Sequence, residues 1–149
     1  MYVSDLGQVM QVEHLSFPTP WSKNAFYGEL LDNPRARYLV AVWRGRVIGY
    51  IGMWLLFDEA HITNVAVHPR YRGHHLGRRL MERGEELARQ HGIRRMTLEV
   101  RKSNAPARHL YESLGYQVVG VRPGYYRDNN EDAIIMWKNP PPEMVPRAE

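Results

Sequence analysis

Cysteine is absent from the 149 residues of this chain. A thiol nucleophile, a thiolate metal site and a disulfide framework are therefore excluded. The cytosol is the simplest compartment for a chain without cysteine, so we expect a cytoplasmic protein.

Long apolar runs are missing as well. The longest, Tyr50–Phe57, is far shorter than the ~20 residues that a membrane span requires. The opening residues Met1–Ser4 do not resemble the start of a signal peptide. We therefore expect a soluble protein with no membrane partner.

Metal-ligand spacing is also lacking. Among the seven histidines, only His74 and His75, with His68 nearby, come close to forming a cluster. They have neither the fixed spacing of a helical or tetrahedral site nor matching carboxylates. The sequence predicts no metal cofactor.

Length and composition are typical of a single domain, which we assign to residues 1–138. We find no internal repeats. Residues 139–149 are rich in proline, which cannot continue a sheet, so they are predicted to form a loose tail.

The charge that is present is distributed unevenly. Residues 61–110 carry 11 Lys or Arg against 4 Asp or Glu, although the whole chain is only +4. This indicates one electropositive site for an anionic ligand rather than a uniformly basic nucleic-acid-binding surface.

The basic segment contains a turn suited to phosphates. An apolar strand pattern ends at Val67, and a helical pattern begins at Leu76. Gly73 and Gly77 let the backbone approach a ligand, and the first N–H groups of a helix have no partner within it. Positive charge around the turn comes from Arg70, Arg72, Arg78 and Arg79. The turn is predicted to bind a diphosphate group.

Periodicity and helix-breaking residues predict an alternation of helices and strands. We predict helices over residues 6–15, 22–33, 76–91 and 103–114, and strands over residues 38–43, 47–57, 61–67, 96–100, 116–121 and 133–137, with a polar loop around Pro123 and Gly124 between the last two.

Several motifs occur in order along nearly the whole chain. They are Asn64-Val-Ala-Val67, Arg72–Leu80, Leu98-Glu-Val-Arg101 with Ser103-Asn104, Leu110–Tyr116, and Tyr125-Tyr126 followed by Glu131–Met136. Together they resemble the GNAT acetyltransferases, and within them the RimI branch, which acetylates the N-terminal alanine of a small-subunit ribosomal protein. Linked motifs are far more specific than one glycine-containing turn.

This resemblance implies an α/β (α+β) GNAT fold, with a mixed, mostly antiparallel sheet flanked by helices. Acetyl-CoA is then expected to enter where two central strands splay apart. The residues implied to bind it are Val65, Ala66, Val67, Arg72, Gly73, His74, His75, Leu76, Gly77, Arg78, Asn104 and Tyr111. Asn104 is equally well explained as a helix cap, and the two roles are compatible.

Two features depart from the family. Its phosphate-binding pattern is Arg/Gln-x-x-Gly-x-Gly/Ala. His75 replaces the first glycine if the pattern begins at Arg72, and the second glycine if it begins at Arg70 with Gly73 in the first position. Histidine tolerates positive φ better than most residues, so we expect the turn to persist with altered coenzyme contacts. Little of this chain precedes its first helix, so we expect the family's opening strand to be missing.

Glu99 and Tyr111 match the family's general base and general acid. Acetyl transfer to an amine needs a proton acceptor for the amine, donors for the oxyanion and an acid for the sulfur. By residue type alone, Glu99 is more readily explained as a solvated strand carboxylate. For Tyr111, packing near Leu114 and a catalytic role are about equally well supported by residue type. The resemblance favours the catalytic roles.

Trp21, Tyr125 and Tyr126 resemble the walls of the peptide groove in N-terminal acetyltransferases. The alternative is that the two tyrosines simply pack on the sheet. An α-amine is also the easier acceptor, since its deprotonation at neutral pH costs about 1 kcal/mol against about 4.6 kcal/mol for lysine.

The leading hypothesis is acetylation of the N-terminal peptide of a ribosomal protein, by direct transfer from acetyl-CoA in a ternary complex and without obligatory nucleic acid. A second hypothesis keeps the chemistry with another protein N-terminus or a small amine as acceptor. A third makes the chain a ribosome- or RNA-binding module with weak or no turnover, in which case its binding would weaken steeply with salt.

Overall fold

The computed structural model describes residues 1–144 of this chain. Its helices are α1 (Leu6–Ser16), α2 (Lys23–Tyr27), α3 (Leu76–Gln90) and α4 (Ala105–Ser113), and its strands are β1 (Ala36–Trp43), β2 (Arg46–Leu56), β3 (Glu59–Val67), β4 (Arg95–Arg101), β5 (Gln117–Tyr126) and β6 (Glu131–Lys138).

The six strands form one sheet in the order β1-β2-β3-β4-β6-β5. Every neighbouring pair is antiparallel except β3 and β4, which are parallel. This is the mixed, mostly antiparallel sheet that the family resemblance implies.

The parallel pair at the centre of the sheet splays apart. Its ladder joins Glu59–Ile62 to Arg95–Leu98. Beyond these residues β3 stays paired with β2 and β4 stays paired with β6, so the two strands diverge. A bulge leaves Thr63 without an opposite residue on β2, and bulges of this kind bend a strand.

Helices cover both faces of the sheet. One buried cluster lies under α3 and α4 and includes Leu80, Met81, Leu98, Tyr111 and Met136. The other lies under α1 and α2 and includes Leu6, Val9, Phe26, Tyr38 and Tyr50. The central strand β2 contributes to both clusters, which explains why its residues are apolar without alternation.

Local sequence signals fix several element ends. Ser22 caps α2 by accepting the N–H of Ala25 at 3.1 Å, as predicted. The β1–β2 hairpin turns through Arg44 (φ 49°) and Gly45 (φ 75°), the positive angles typical of a two-residue hairpin turn.

The second predicted helix does not keep its α-helical form to Asn33. Residues Gly28–Asp32 form a π-helical turn that carries the buried Glu29. The Glu29 carboxylate accepts hydrogen bonds from the Tyr38 hydroxyl at 2.9 Å and from Trp54 Nε1 at 2.7 Å. These tertiary contacts accompany a wider helical turn that local periodicity could not predict.

The predicted polar loop around Pro123 and Gly124 is wrong, because β5 continues to Tyr126. Proline is compatible with β5 because this strand lies at the edge of the sheet, where one side needs no partner. The ladder is irregular between Arg122 and Tyr126, as expected around a proline.

The structure describes the first residues of the chain and part of the predicted tail. Within residues 1–144, the first element is a 3-10 turn, Val3–Asp5, and no strand precedes α1. Of the predicted tail, Pro141 is buried and Pro142–Met144 form a 3-10 turn, whereas residues 145–149 lie outside the described residues. In the part of the chain that the structure describes, no helix has both the length and the apolar character to cross a bilayer.

Candidate active site

A cavity of about 540 Å³ opens where β3 and β4 diverge. Its floor consists of Ile62–Val65 from β3 and Leu98–Arg101 from β4. The segment between α1 and α2 and the end of β5 form its sides. The cavity therefore lies at the sheet opening that was predicted to admit the coenzyme.

Glu99 lies on β4 one residue past the end of the parallel ladder. Its side chain is 13% exposed, and Oε2 lies 2.6 Å from Nε2 of His61 on the neighbouring β3. Its other oxygen, Oε1, lies 3.7 Å from Nε of Arg122 on β5. Glu99 thus faces the cavity between two basic side chains.

These neighbours decide the ionisation of Glu99. Burial by itself would raise the pKa of this carboxyl. The hydrogen bond with His61, the charge that His61 carries when protonated, and the charge of Arg122 outweigh burial and hold the pKa below its ordinary value. Glu99 is therefore ionised at neutral pH and able to accept a proton.

Tyr111 projects from α4 into the same cavity and is only 6% exposed. Burial, with a smaller contribution from nearby Tyr126, raises the pKa of the Tyr111 hydroxyl above its ordinary value. The hydroxyl therefore stays protonated at neutral pH, as a general acid must before it acts.

The structure confirms one of the two roles considered for Asn104, the helix cap. Its Oδ1 accepts the N–H of Ala107 at 3.2 Å and so caps α4, as the sequence allowed. The same residue lines the cavity. Its contact with a coenzyme remains a prediction.

The turn before α3 keeps a left-handed backbone despite its departure from the family pattern. His75 is the N-cap of α3, with φ 60° and ψ 23°, and Gly73 has φ 84°. The expectation that histidine would support a positive φ here is confirmed.

Two arginines are held at either side of this turn. Arg72 donates from Nε to the Val67 carbonyl at 3.2 Å, and Arg78 donates from Nη2 to the Ser113 hydroxyl at 2.5 Å. These two hydrogen bonds orient the arginines at the turn. Gly77 lets α3 approach α4, since a Cβ there would lie 3.2 Å from Leu110 Cδ2.

The predicted coenzyme residues do not all share the cavity. Val65, Asn104 and Tyr111 line it, whereas Ala66, Val67 and residues 72–78 lie farther along β3 and into α3. They form a continuous path from the cavity to the basic turn.

The three predicted groove residues all line the cavity. The Trp21 N–H donates to Oε1 of the buried Glu13 at 2.9 Å, which fixes the segment between α1 and α2. On the opposite side, the Tyr126 ring lies 4.0 Å below the Arg101 guanidinium, and Tyr125 is 47% exposed.

His61 was not identified by the sequence, which drew attention to His68, His74 and His75 instead. Within residues 1–144, no group of three or more His, Asp or Glu is placed to hold a metal ion.

The parallel register pairs His61 with Thr97, so Glu99 follows two residues later on the same face. This proximity could be recognised only with the strand register in hand.

Residues 6–116 match the Acetyltransferase (GNAT) family. The chain belongs to this family. It is therefore an acetyltransferase whose acetyl donor is acetyl-CoA, and the fold predicted from the family resemblance is confirmed.

Relatives of this GNAT acetyltransferase cover nearly its whole length. A Bacillus subtilis (strain 168) protein with the provisional name ribosomal protein bS18-alanine N-acetyltransferase is 48% identical over 137 residues, which are 92% of this chain and 91% of the relative. The Escherichia coli (strain K12) ribosomal protein bS18-alanine N-acetyltransferase is 36% identical over 137 residues, covering 89% and 90% of the two chains. The crystal structure of the ribosomal-protein-S18-alanine N-acetyltransferase from Escherichia coli superposes with a TM-score of 0.85 at 34% identity, covering 93% of this chain and 89% of that one.

Proposed function

We propose that this GNAT acetyltransferase acetylates the α-amine of the N-terminal alanine of ribosomal protein bS18, by direct transfer in a ternary complex. The observation that carries the proposal is the cavity at the β3–β4 opening, which Glu99 and Tyr111 share with aromatic walls. The relatives named for this reaction, at 48% and 36% identity, support the same acceptor.

The donor side of the site is suited to acetyl-CoA. The left-handed Gly73 and His75 direct the turn into α3, and the first N–H groups of a helix attract phosphate. Because β3 leaves β4 after Ile62, backbone groups of Val65–Val67 are available to the pantetheine arm. Acetyl-CoA supplies the activated thioester, and these residues bind and orient it.

The acceptor side needs a base for the incoming ammonium group. Glu99 is ionised and partly buried, so it attracts the ammonium and accepts its proton. The Tyr111 hydroxyl, kept protonated by burial, supplies a proton to the departing sulfur. One carboxylate suffices because an α-amine loses its proton at a cost of only about 1 kcal/mol at neutral pH.

The walls of the cavity favour a peptide over a small amine. Trp21 on one side and Tyr125 and Tyr126 on the other present aromatic surface, which binds extended peptide with little loss of side-chain entropy. We further propose that the reaction takes place in the cytoplasm on a free or ribosome-associated substrate.

Mass spectrometry of synthetic peptides tests the acceptor. A peptide with the N-terminal sequence of bS18 should gain one acetyl group at its α-amine when incubated with the protein and acetyl-CoA. Matched controls are the same peptide with its first residue changed to lysine or leucine, and the same peptide with a blocked N-terminus and a free lysine side chain. Equal acetylation of all these peptides, or of none, would contradict the proposal.

A salt titration separates this function from RNA binding. Acetylation of a short peptide should proceed without RNA and should change little between low and moderate salt. A protein that bound RNA through the basic segment 61–110 would instead lose affinity steeply, because each phosphate contact releases counterions.

A further inference from the structure

A short contact in the cavity joins the Glu99 carboxylate to His61. Nε2 of His61 lies 2.6 Å from Oε2 of Glu99, and the two side chains are only 23% and 13% exposed. A partly buried hydrogen bond of this length to an ionised group has a strong preference for one geometry.

The imidazole is itself held in place from behind. The Trp54 ring meets the His61 ring edge to face, with centroids 6.0 Å apart. Trp54 in turn donates from Nε1 to Glu29 at 2.7 Å, and Glu29 also accepts from the Tyr38 hydroxyl. The ring of His61 is therefore braced by residues from β2 and from the buried π-helical turn.

This arrangement makes the two oxygens of Glu99 unequal. Oε2 is occupied by His61, whereas the neighbour of Oε1 is Arg122, 3.7 Å away with a side chain that is 57% exposed. An incoming ammonium can displace a solvent-exposed guanidinium far more easily than a braced imidazole. Oε1 is thus the oxygen left for the acceptor.

We propose that His61 is a positioning residue for the acetyl transfer: its Nε2–H fixes the Glu99 carboxylate so that Oε1 meets the acceptor amine. The proposal depends on the proposed function for the role of Glu99 as base. In the step itself, the amine proton moves to Oε1 of Glu99, and no bond to His61 breaks.

The pH dependence follows from the charges around the pair. Those that face it from β5 are Arg122 and Tyr126. Glu59 lies two residues earlier on the same face of β3, and Arg101 lies two residues after Glu99 on the same face of β4. Glu13 from α1 lines the same cavity, and Glu29 lies behind Trp54. A positive charge on the imidazole favours the ionised form of Glu99 and lowers the pKa of its carboxyl. Protonation of Glu99 removes the base, so kcat/KM should fall on acidification.

Two substitutions at one position test the proposal. His61→Phe keeps a ring against Trp54 but removes the donor, so kcat should fall about 10- to 100-fold through loss of orientation, with the KM for acetyl-CoA unchanged. His61→Gln restores an N–H₂ donor near the same point and should return kcat to within a few-fold of the unsubstituted protein. Glutamine carries no charge, so the pKa of Glu99 should rise and the acidic limb of the kcat/KM profile should move to higher pH. His91→Gln, at the exposed end of α3, is the matched control and should change none of these quantities.

A second readout needs no substrate. In protein labelled at the glutamate side-chain carboxyl carbons, the pKa of Glu99 should rise on His61→Phe, because the hydrogen bond and charge that lower it are gone. An unchanged Glu99 titration together with an unchanged pH profile in His61→Gln would overturn the proposal. A shifted titration in a protein that acetylates no peptide would instead contradict the proposed acceptor and leave the coupling of the pair intact.

Discussion

Two glutamates, Glu13 and Glu99, line the same cavity, but their surroundings shift their pKa values in opposite directions. Burial raises the pKa of Glu13, despite the hydrogen bonds it accepts from the Trp21 N–H and the Tyr50 hydroxyl. At Glu99 the hydrogen bond and charge from His61 outweigh burial and lower the pKa. The surroundings of Glu99 therefore favour its ionised form, whereas Glu13 is held by the Trp21 backbone and Tyr50 and fixes the groove wall.

Removal of the Tyr111 hydroxyl separates its chemistry from its packing. Tyr111→Phe keeps the ring in the core, so acetyl-CoA affinity should be nearly unchanged while kcat falls about 10²- to 10³-fold. Calorimetry and steady-state kinetics measure the two quantities. Tyr116→Phe is the control, since its hydroxyl donates to the buried Glu85 instead. It should lower thermal stability and leave kcat unchanged, and an undiminished kcat in Tyr111→Phe would remove that residue's role as acid.

His75 stores backbone strain at the turn, because a left-handed φ of 60° is unfavourable for residues with a Cβ. His75→Gly should relieve this strain and tighten acetyl-CoA binding several-fold, whereas His75→Val, with a branched Cβ, should weaken it by a similar factor. Calorimetric titration with acetyl-CoA measures both. A loss of affinity in His75→Gly would show that the imidazole contacts the coenzyme directly.

At the scale of elements, the bulge on β3 depends on a glycine in the neighbouring strand. Gly52 lies opposite Asn64, where the register shifts. A Cβ at residue 52 would overlap the Tyr38 ring and lie 2.5 Å from Asn64 Oδ1. The strand arrangement that opens the cavity therefore requires the absence of a side chain here.

Gly52→Ala should lower the free energy of unfolding by about 1–3 kcal/mol, since the Tyr38 ring and the strands must shift. Gly7→Ala, in α1 with nothing within 4 Å of the new Cβ, is the matched control and should stabilise the protein by up to about 1 kcal/mol. Urea unfolding of both variants measures the difference. Equal stabilities would show that the sheet adapts to the extra methyl group.

The elements also show which features a sequence can predict. Caps and breakers such as Ser22 and Asn104 act within a few residues, so the order of helices and strands was predictable. The extension of β5 through Pro123 depended on its edge position, which is a property of the whole sheet. Likewise, the predicted Glu99 and Tyr111 share a cavity, but the partner of Glu99 was missed because His61 lies 38 positions away in sequence.

At the scale of the whole molecule, a carboxylate network ties the last strands to β4. Arg101 forms ion pairs with Asp128 at 2.9 Å and with Glu131 at 3.4 Å. Glu131 also accepts the N–H of Ser103 at 2.6 Å. This network holds the β5–β6 connection, and with it Tyr126, against the end of β4.

Acid should loosen this network. The hydrogen bonds from Ser103, and then those from Asn129 and Arg101, lower the pKa of Glu131 to about 2 from an ordinary 4.5. A lowered folded-state pKa means that the contribution to stability is present above pH 4.5 and is lost as pH falls towards 2. Glu131→Gln should therefore be less stable than the unsubstituted protein at pH 6, and the difference should shrink by pH 2. Urea unfolding at several pH values measures this, and a constant difference would contradict it.

The short ladder between β3 and β4 also affects how firmly the two halves of the sheet are connected. Within residues 1–144, the backbone ladder that joins the half-sheet β1-β2-β3 to the half-sheet β4-β6-β5 is limited to Glu59–Ile62 and Arg95–Leu98. A donor molecule bound in the gap would contact both half-sheets and hold them together. Amide protons of Val65–Val67 should then exchange more slowly with deuterium once the donor is bound, and the melting temperature should climb with its concentration.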